Sequence, residues 1–173
     1  MEGQNNTKPK RMDRKIRIGL AAALMLVCTL SSCKKDEWLD WKVMNQMVLE
    51  ANKNTPGVIT TGSGLQYRII SDSQPTEPKP DDESYILCNY TVMLPAGNKQ
   101  VDSGTAATFA LSNVVAGFRE GIKKIHKSGI IEMWVPADIA YGEDGVGSEG
   151  SYNYIPPYST VYFKVDLKDV AKY

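Results

Sequence analysis

Four stretches of alternating hydrophobicity, one short helical run among them and a separate helical stripe near the amino terminus predict an α+β fold. The expected architecture is an antiparallel β-sheet wrapped around one short α-helix, preceded by an N-terminal helix. With 173 residues, 42% of them hydrophobic and 9% aromatic, the chain has material for one domain with an ordinary core and a smaller segment at one end.

The amino terminus is that segment. Lys8, Lys10, Arg11, Arg14, Lys15 and Arg17 precede an uncharged apolar run from Ile18 to Leu30, which is too short to span a bilayer, and Ser31, Ser32 and Cys33 follow. This order reads as a secretory signal over residues 1–32. Its end at cysteine resembles the lipobox of bacterial lipoproteins, which implies that Cys33 is acylated and becomes the new amino terminus. The remaining chain carries 14 basic and 18 acidic side chains, a net charge of −4, which argues against nucleic acid as a partner. Cys28 leaves with the signal and Cys33 carries lipid, so Cys88 is left alone and no intrachain disulfide is expected. Its apolar alternating surroundings read as those of a small buried residue.

Residues 33–57 read as a lipidated linker and a short amphipathic helix. Lys34, Lys35, Asp36 and Glu37 form a solvated cluster that resembles the export signals of surface-exposed lipoproteins. Trp38, Leu39, Trp41, Val43, Met44, Met47, Val48 and Ala51 then fall on one broad helical stripe. Asp36 or Asp40 is placed to cap the start, and Asn54, Thr55, Pro56 and Gly57 to stop the helix. Three to four turns are expected, docked on the chain's own domain because so short a helix is marginal alone. The other reading is an arm for dimerisation or client binding.

The main domain spans residues 58–173. Leu65, Tyr67 and Ile69 alternate in a first strand, and the proline-rich stretch from Ser71 to Glu83 is an exposed loop. Ile86, Cys88, Tyr90, Val92 and Leu94 alternate in the next strand. The turn residues Ala96, Gly97, Asn98 and Lys99 bring the chain back to Val101 and Asp102, so Tyr90 and Asp102 fall on neighbouring strands. Phe118, Ile122 and Ile125 recur at helical intervals until Lys127, Ser128 and Gly129 end the run. Ile131, Met133 and Val135 mark a strand, and Val161, Phe163, Val165 and Leu167 mark the last one. Between those two strands lies a glycine-rich loop with Tyr141 on one side and Ile155, held extended by Pro156, on the other.

Ala140, Tyr141 and Gly142, then Ile155, Pro156 and Pro157, then Thr160 to Phe163 resemble the carboxy-terminal half of an FKBP-type peptidyl-prolyl isomerase. Val114 to Gly121 and Val101 to Ser103 extend the likeness, which covers roughly residues 58–173. The resemblance implies an apolar pocket between helix and sheet, formed by Tyr90, Asp102, Val114, Val115, Phe118, Tyr141, Ile155 and Phe163. It further implies that the Tyr141 hydroxyl and the Val115 N–H hold carbonyls flanking a substrate proline, that Phe118 floors the site and that Asp102 sits near the twisting amide. Phe118 stands where the family usually has tryptophan. Val101 and Ala107 replace aromatic residues, which implies a wider, shallower pocket, and residues 143–154 are longer than in the family's small members, forming a loop expected to overhang the site.

The function so implied is cis-trans isomerisation of X-Pro bonds in envelope or secreted proteins, by a lipid-anchored protein of the cell envelope, with proline-containing polypeptides as clients. The alternative is a non-catalytic chaperone or peptide-binding module using the same pocket and the loop around Tyr152 and Tyr154. Neither a metal nor a cofactor is called for, because twisting an amide needs no nucleophile. Gly145, Gly147 and Gly150 match a dinucleotide fingerprint, but that motif must open a helix, and here Tyr152, Asn153, Tyr154, Ile155 and Pro156 follow. His126, the single histidine, reads as a solvated helix end.

Overall fold

The computed structural model describes residues 36–172. The proposed signal peptide and the lipidation reading of Cys33 lie outside the described residues. From Glu37 onward the chain forms one compact unit. Its elements are helix α1 (Leu39–Asn52), strands β1 (Ile59–Thr60), β2 (Gln66–Ser71), β3 (Tyr85–Leu94) and β4 (Lys99–Ala110), helix α2 (Ala116–Ile122), and strands β5 (Ile130–Val135) and β6 (Val161–Ala171). The six strands form one sheet in the order β1-β2-β5-β6-β3-β4, and every neighbouring pair is antiparallel.

Alternation builds the core as expected. Ile86, Cys88, Val92 and Leu94 of β3, Ile131, Met133 and Val135 of β5, and Val161, Phe163, Val165 and Leu167 of β6 are all buried. Helix α2 lays Phe118 and Ile122 onto this face. Its approach is close because two of its residues lack side chains: a Cβ at Gly117 would meet Val135 Cγ1 at 2.3 Å, and one at Gly121 would meet Met133 Sδ at 2.2 Å. The helix ends at Ile122, earlier than the periodicity predicts, and Ile125 stays in the core from the turn that follows.

Strand β4 is longer than expected. The sequence marks only the return of the chain to Val101 and Asp102, yet the ladder with β3 runs from Lys99 to Ala110, across register shifts and through Ala106 in a left-handed conformation at φ 49°. Asn89 Oδ1 accepts the Ala106 N–H at 2.9 Å, which holds the irregular turn of the strand in place.

Helix α1 packs on the domain through only part of its apolar stripe, with Trp41 against the core and Val48 half-buried. Leu39, Val43, Met44 and Met47 of the apolar stripe are exposed, while the buried positions are the polar Asn45 and Asn52. These side chains have partners on the domain. Asn45 Oδ1 accepts the Thr160 N–H at 2.7 Å, Asn52 Nδ2 donates to Gln66 Oε1 at 2.9 Å, and Trp41 Nε1 donates to Ser159 Oγ at 3.1 Å. Gln66 Nε2 in turn donates to the Leu49 carbonyl at 2.9 Å. A buried amide with its bonds made is stable in place, and a stripe of methyl groups could not satisfy the Thr160 N–H. Trp38, rather than an aspartate, holds the N-cap position, and its side chain makes no cap bond. No helix among the described residues is long and apolar enough to cross a membrane.

Candidate active site

A cavity of about 230 Å³ opens between α2 and the concave side of the sheet. Its floor is aromatic. Phe118 and Phe163 meet edge to face at 5.2 Å between centroids, Phe109 stands 6.5 Å from Phe118, and Tyr90 meets Phe109 at 5.2 Å. Val92, Val114 and Val115 complete the apolar wall, while Asp102, Asn113 and Tyr141 bring polar groups to it.

Local backbone chemistry sets each of these groups. Tyr90 faces Gly104 across the β3–β4 ladder, and its ring lies where a side chain would be: a Cβ on Gly104 would meet Tyr90 Cε1 at 2.6 Å. The ring thereby reaches Asp102, whose Oδ2 accepts the Tyr90 hydroxyl at 3.0 Å while Oδ1 accepts the Ser103 N–H at 2.8 Å. The carboxylate is held from both sides. Val115 immediately precedes α2 with extended φ and ψ, at −60° and 149°, so its N–H belongs to no helical ladder. Tyr141 follows a short 3₁₀ turn, Ala137–Ile139, and is fixed from behind by the Gly145 N–H on its carbonyl at 3.1 Å.

Two donors at this cavity stand apart. Among the described residues, neither the Tyr141 hydroxyl nor the Val115 N–H has a hydrogen-bond partner within the chain. Burial, reinforced by the Asp102 carboxylate, raises the Tyr141 hydroxyl above the ordinary tyrosine range, so it stays a donor. Burial and the bond to Asp102 raise Tyr90 likewise.

Of the eight pocket residues expected from the sequence, seven line the cavity: Tyr90, Asp102, Val114, Val115, Phe118, Tyr141 and Phe163. Ile155 does not. It is 4% exposed and pairs through both N–H and C=O with Val146 at 2.9 Å, which turns it into the hinge pin of the loop rather than a wall of the cavity. The loop itself contributes no lining residue. It leans instead on the β3–β4 hairpin, where Lys99 Nζ donates to the Ser151 carbonyl and Gln100 Nε2 to the Tyr152 hydroxyl, both at 3.4 Å.

Val92, Phe109 and Asn113 line the cavity without having been singled out. Alternation from Tyr90 points to Val92, and Phe109 is one face-step from Ala107, so both were within reach of the period-2 pattern. Nothing local marks Asn113. A second hollow of about 460 Å³, lined by Asn89, Tyr90, Thr91, Ser103, Gly104, Thr105, Lys164 and Asp166, shares only Tyr90 with the first. No group of three or more histidine, cysteine or acidic side chains among the described residues is placed to hold a metal ion.

The family model for FKBP-type peptidyl-prolyl cis-trans isomerase matches residues 75–168, the segment that contains every lining residue of the cavity. The chain belongs to this family. The peptidyl-prolyl cis-trans isomerase Mip of Coxiella burnetii is 36% identical over 127 residues, 72% of this chain and 52% of that protein. The outer membrane protein MIP of Legionella longbeachae is 35% identical over 134 residues, 76% of this chain and 54% of its own length. This FKBP-type chain thus spans about half the length of the curated relatives it matches. The crystal structure of FkpA from Escherichia coli superimposes with a TM-score of 0.72 at 30% identity, covering 95% of this chain and 76% of that one.

Proposed function

We propose that this chain catalyses cis-trans exchange at X-Pro bonds of envelope or secreted polypeptides, as a folding catalyst tethered to the membrane by lipid on Cys33. The observation that carries the reading is the pair of unpartnered donors, Tyr141 hydroxyl and Val115 N–H, beside an aromatic-floored cavity.

The barrier to be lowered, about 18–20 kcal/mol, is the resonance of the planar amide. Water stabilises the charge separation of that planar form. Inside an apolar cavity the stabilisation weakens, and the twisted amide has less of it to lose, so the cavity favours the transition state over the ground state. In this scheme the proline ring rests on Phe118, with Tyr90 and Phe163 as walls. Tyr141 and Val115 donate to carbonyls on either side of the proline and hold the peptide in a bent path. Asp102, already oriented by Tyr90 and the Ser103 N–H, faces the twisting amide. Val114 closes the wall beside Val115.

A protease-coupled isomerisation assay on short X-Pro peptides tests the proposal: catalysis is expected from the wild type and a strong loss from Tyr141→Phe combined with Asp102→Ala. Absence of acceleration by the wild type refutes it. Mass spectrometry of the membrane fraction, with and without Cys33→Ser, tests the anchor. A second reading, a chaperone without catalysis, draws support from the loop beside the cavity, where Tyr152 is 63% exposed. It predicts suppression of client aggregation that survives both substitutions and is lost when residues 143–154 are shortened.

A further inference from the structure

Helix α1 carries an outward apolar ridge. Leu39, Val43 and Met47 repeat every fourth residue and are 52%, 47% and 65% exposed, and Met44 beside them is 45% exposed. Burying polar Asn45 and Asn52 instead is what turns these four side chains to the outside. We infer that this ridge lies against the surface of the bilayer that holds the Cys33 lipid, at the boundary between headgroups and acyl chains.

The inference rests on the lipid-anchor reading of Cys33 and on the chain length that follows it. Leu39 lies six positions after Cys33, and a chain extends at most about 3.6 Å per residue, so the start of α1 stays within about 20 Å of the anchored cysteine. A surface held that close meets the bilayer at a high effective concentration, and four apolar side chains suffice where free solution would demand many more. A second copy of the chain is a poorer occupant. Fourteen residues make a helix about 21 Å long and about 10 Å wide, a face of about 200 Å², against about 800 Å² per partner in a stable interface.

The consequence is orientational. Trp41 and Asn45 tie the same helix to Ser159 and Thr160 at the start of β6, so a docked ridge would fix how the whole domain stands on the membrane.

The test uses the full lipidated chain in phosphatidylcholine vesicles, with Cys88 replaced by alanine and an environment-sensitive fluorophore on Met47→Cys. A second label on Val43→Cys repeats the measurement should the first disturb the fold. The reference is Lys79→Cys, next to Pro78, whose carbonyl accepts the Lys127 N–H at 2.8 Å near the opposite end of β6. Nitroxide-bearing lipid is expected to quench the ridge labels several-fold more than the Lys79 label. Equal quenching at ridge and reference, in protein that floats with the vesicles, overturns the docking and leaves the anchor standing. Failure to float shows that the anchor reading is wrong, and the docking falls with it. Energy transfer between labelled copies, in place of quenching by lipid, assigns the ridge to a second copy and overturns the inference.

Discussion

Replacing Tyr141 by phenylalanine removes one oxygen atom from the cavity and isolates the role proposed for it. Among the described residues the hydroxyl bonds nothing in the chain, so the folded state loses no internal hydrogen bond. Stability should therefore change by no more than about 0.5 kcal/mol. If the hydroxyl holds a substrate carbonyl in the transition state, the loss is that of one neutral hydrogen bond, about 0.5–1.5 kcal/mol, or about 2- to 13-fold in kcat/KM. Tyr162→Phe is the matched control. Its hydroxyl donates to Glu132 Oε1 at 2.9 Å, and Glu132 Oε2 also holds Arg68 Nη2 at 2.6 Å, outside the cavity. That substitution should cost about 1–3 kcal/mol of stability and leave kcat/KM unchanged. The two variants are compared by urea unfolding and by protease-coupled isomerisation at several peptide concentrations. Full activity in Tyr141→Phe, or an activity loss in Tyr162→Phe as large as in Tyr141→Phe, refutes the assignment.

Three other outcomes follow from the same geometry. Asn45→Ala leaves the Thr160 N–H without its acceptor and should lower stability by about 1–3 kcal/mol, whereas Met44→Ala on the same helix should fall within about 0.5 kcal/mol of wild type by urea unfolding. Gly104→Ala places a methyl group against the Tyr90 ring and displaces its hydroxyl from Asp102, so its kcat/KM should drop below that of Tyr90→Phe. Burial, and secondarily Asp166, pushes the Cys88 thiol up to about 11. The folded state holds this proton more tightly than the unfolded chain, so the contribution to stability is complete below the unfolded thiol value and declines as pH rises toward 11. Urea unfolding between pH 8 and about 10.5 should show that decline, and Cys88→Ala should flatten it.

How much of this was legible in the sequence depends on whether a residue's partner is local. The cores of β3, β5 and β6 announce themselves because a period of two survives any tertiary context that buries one face. The seven expected residues that line the cavity come from likeness to a family, since the hairpin turn sets Tyr90 beside Asp102 but nothing in the spacing brings Tyr141 to them. Helix α1 lies within a residue of its expected bounds yet turns much of its apolar stripe outward, because the acceptor that helps set its face, Asn45, meets a donor 115 residues away. Hydrophobic periodicity weighs methyl groups and takes no account of an amide that completes another segment's hydrogen bonding. The continuity of β4 is hidden for a related reason: Gly104, Ala106 and Ala107 carry weak strand preference, and the ladder with β3 imposes what they lack.

The short bridge between Val146 and Ile155 has a consequence beyond the site. A Cβ at Gly145 would meet the Ile155 carbonyl oxygen at 2.3 Å, so glycine is required where the two limbs of the loop close together. Beyond that clamp, residues 147–154 contribute nothing to the cavity wall. The segment is an exchangeable cassette: its length and composition can drift, or be replaced by design, while the frame beneath it keeps its packing.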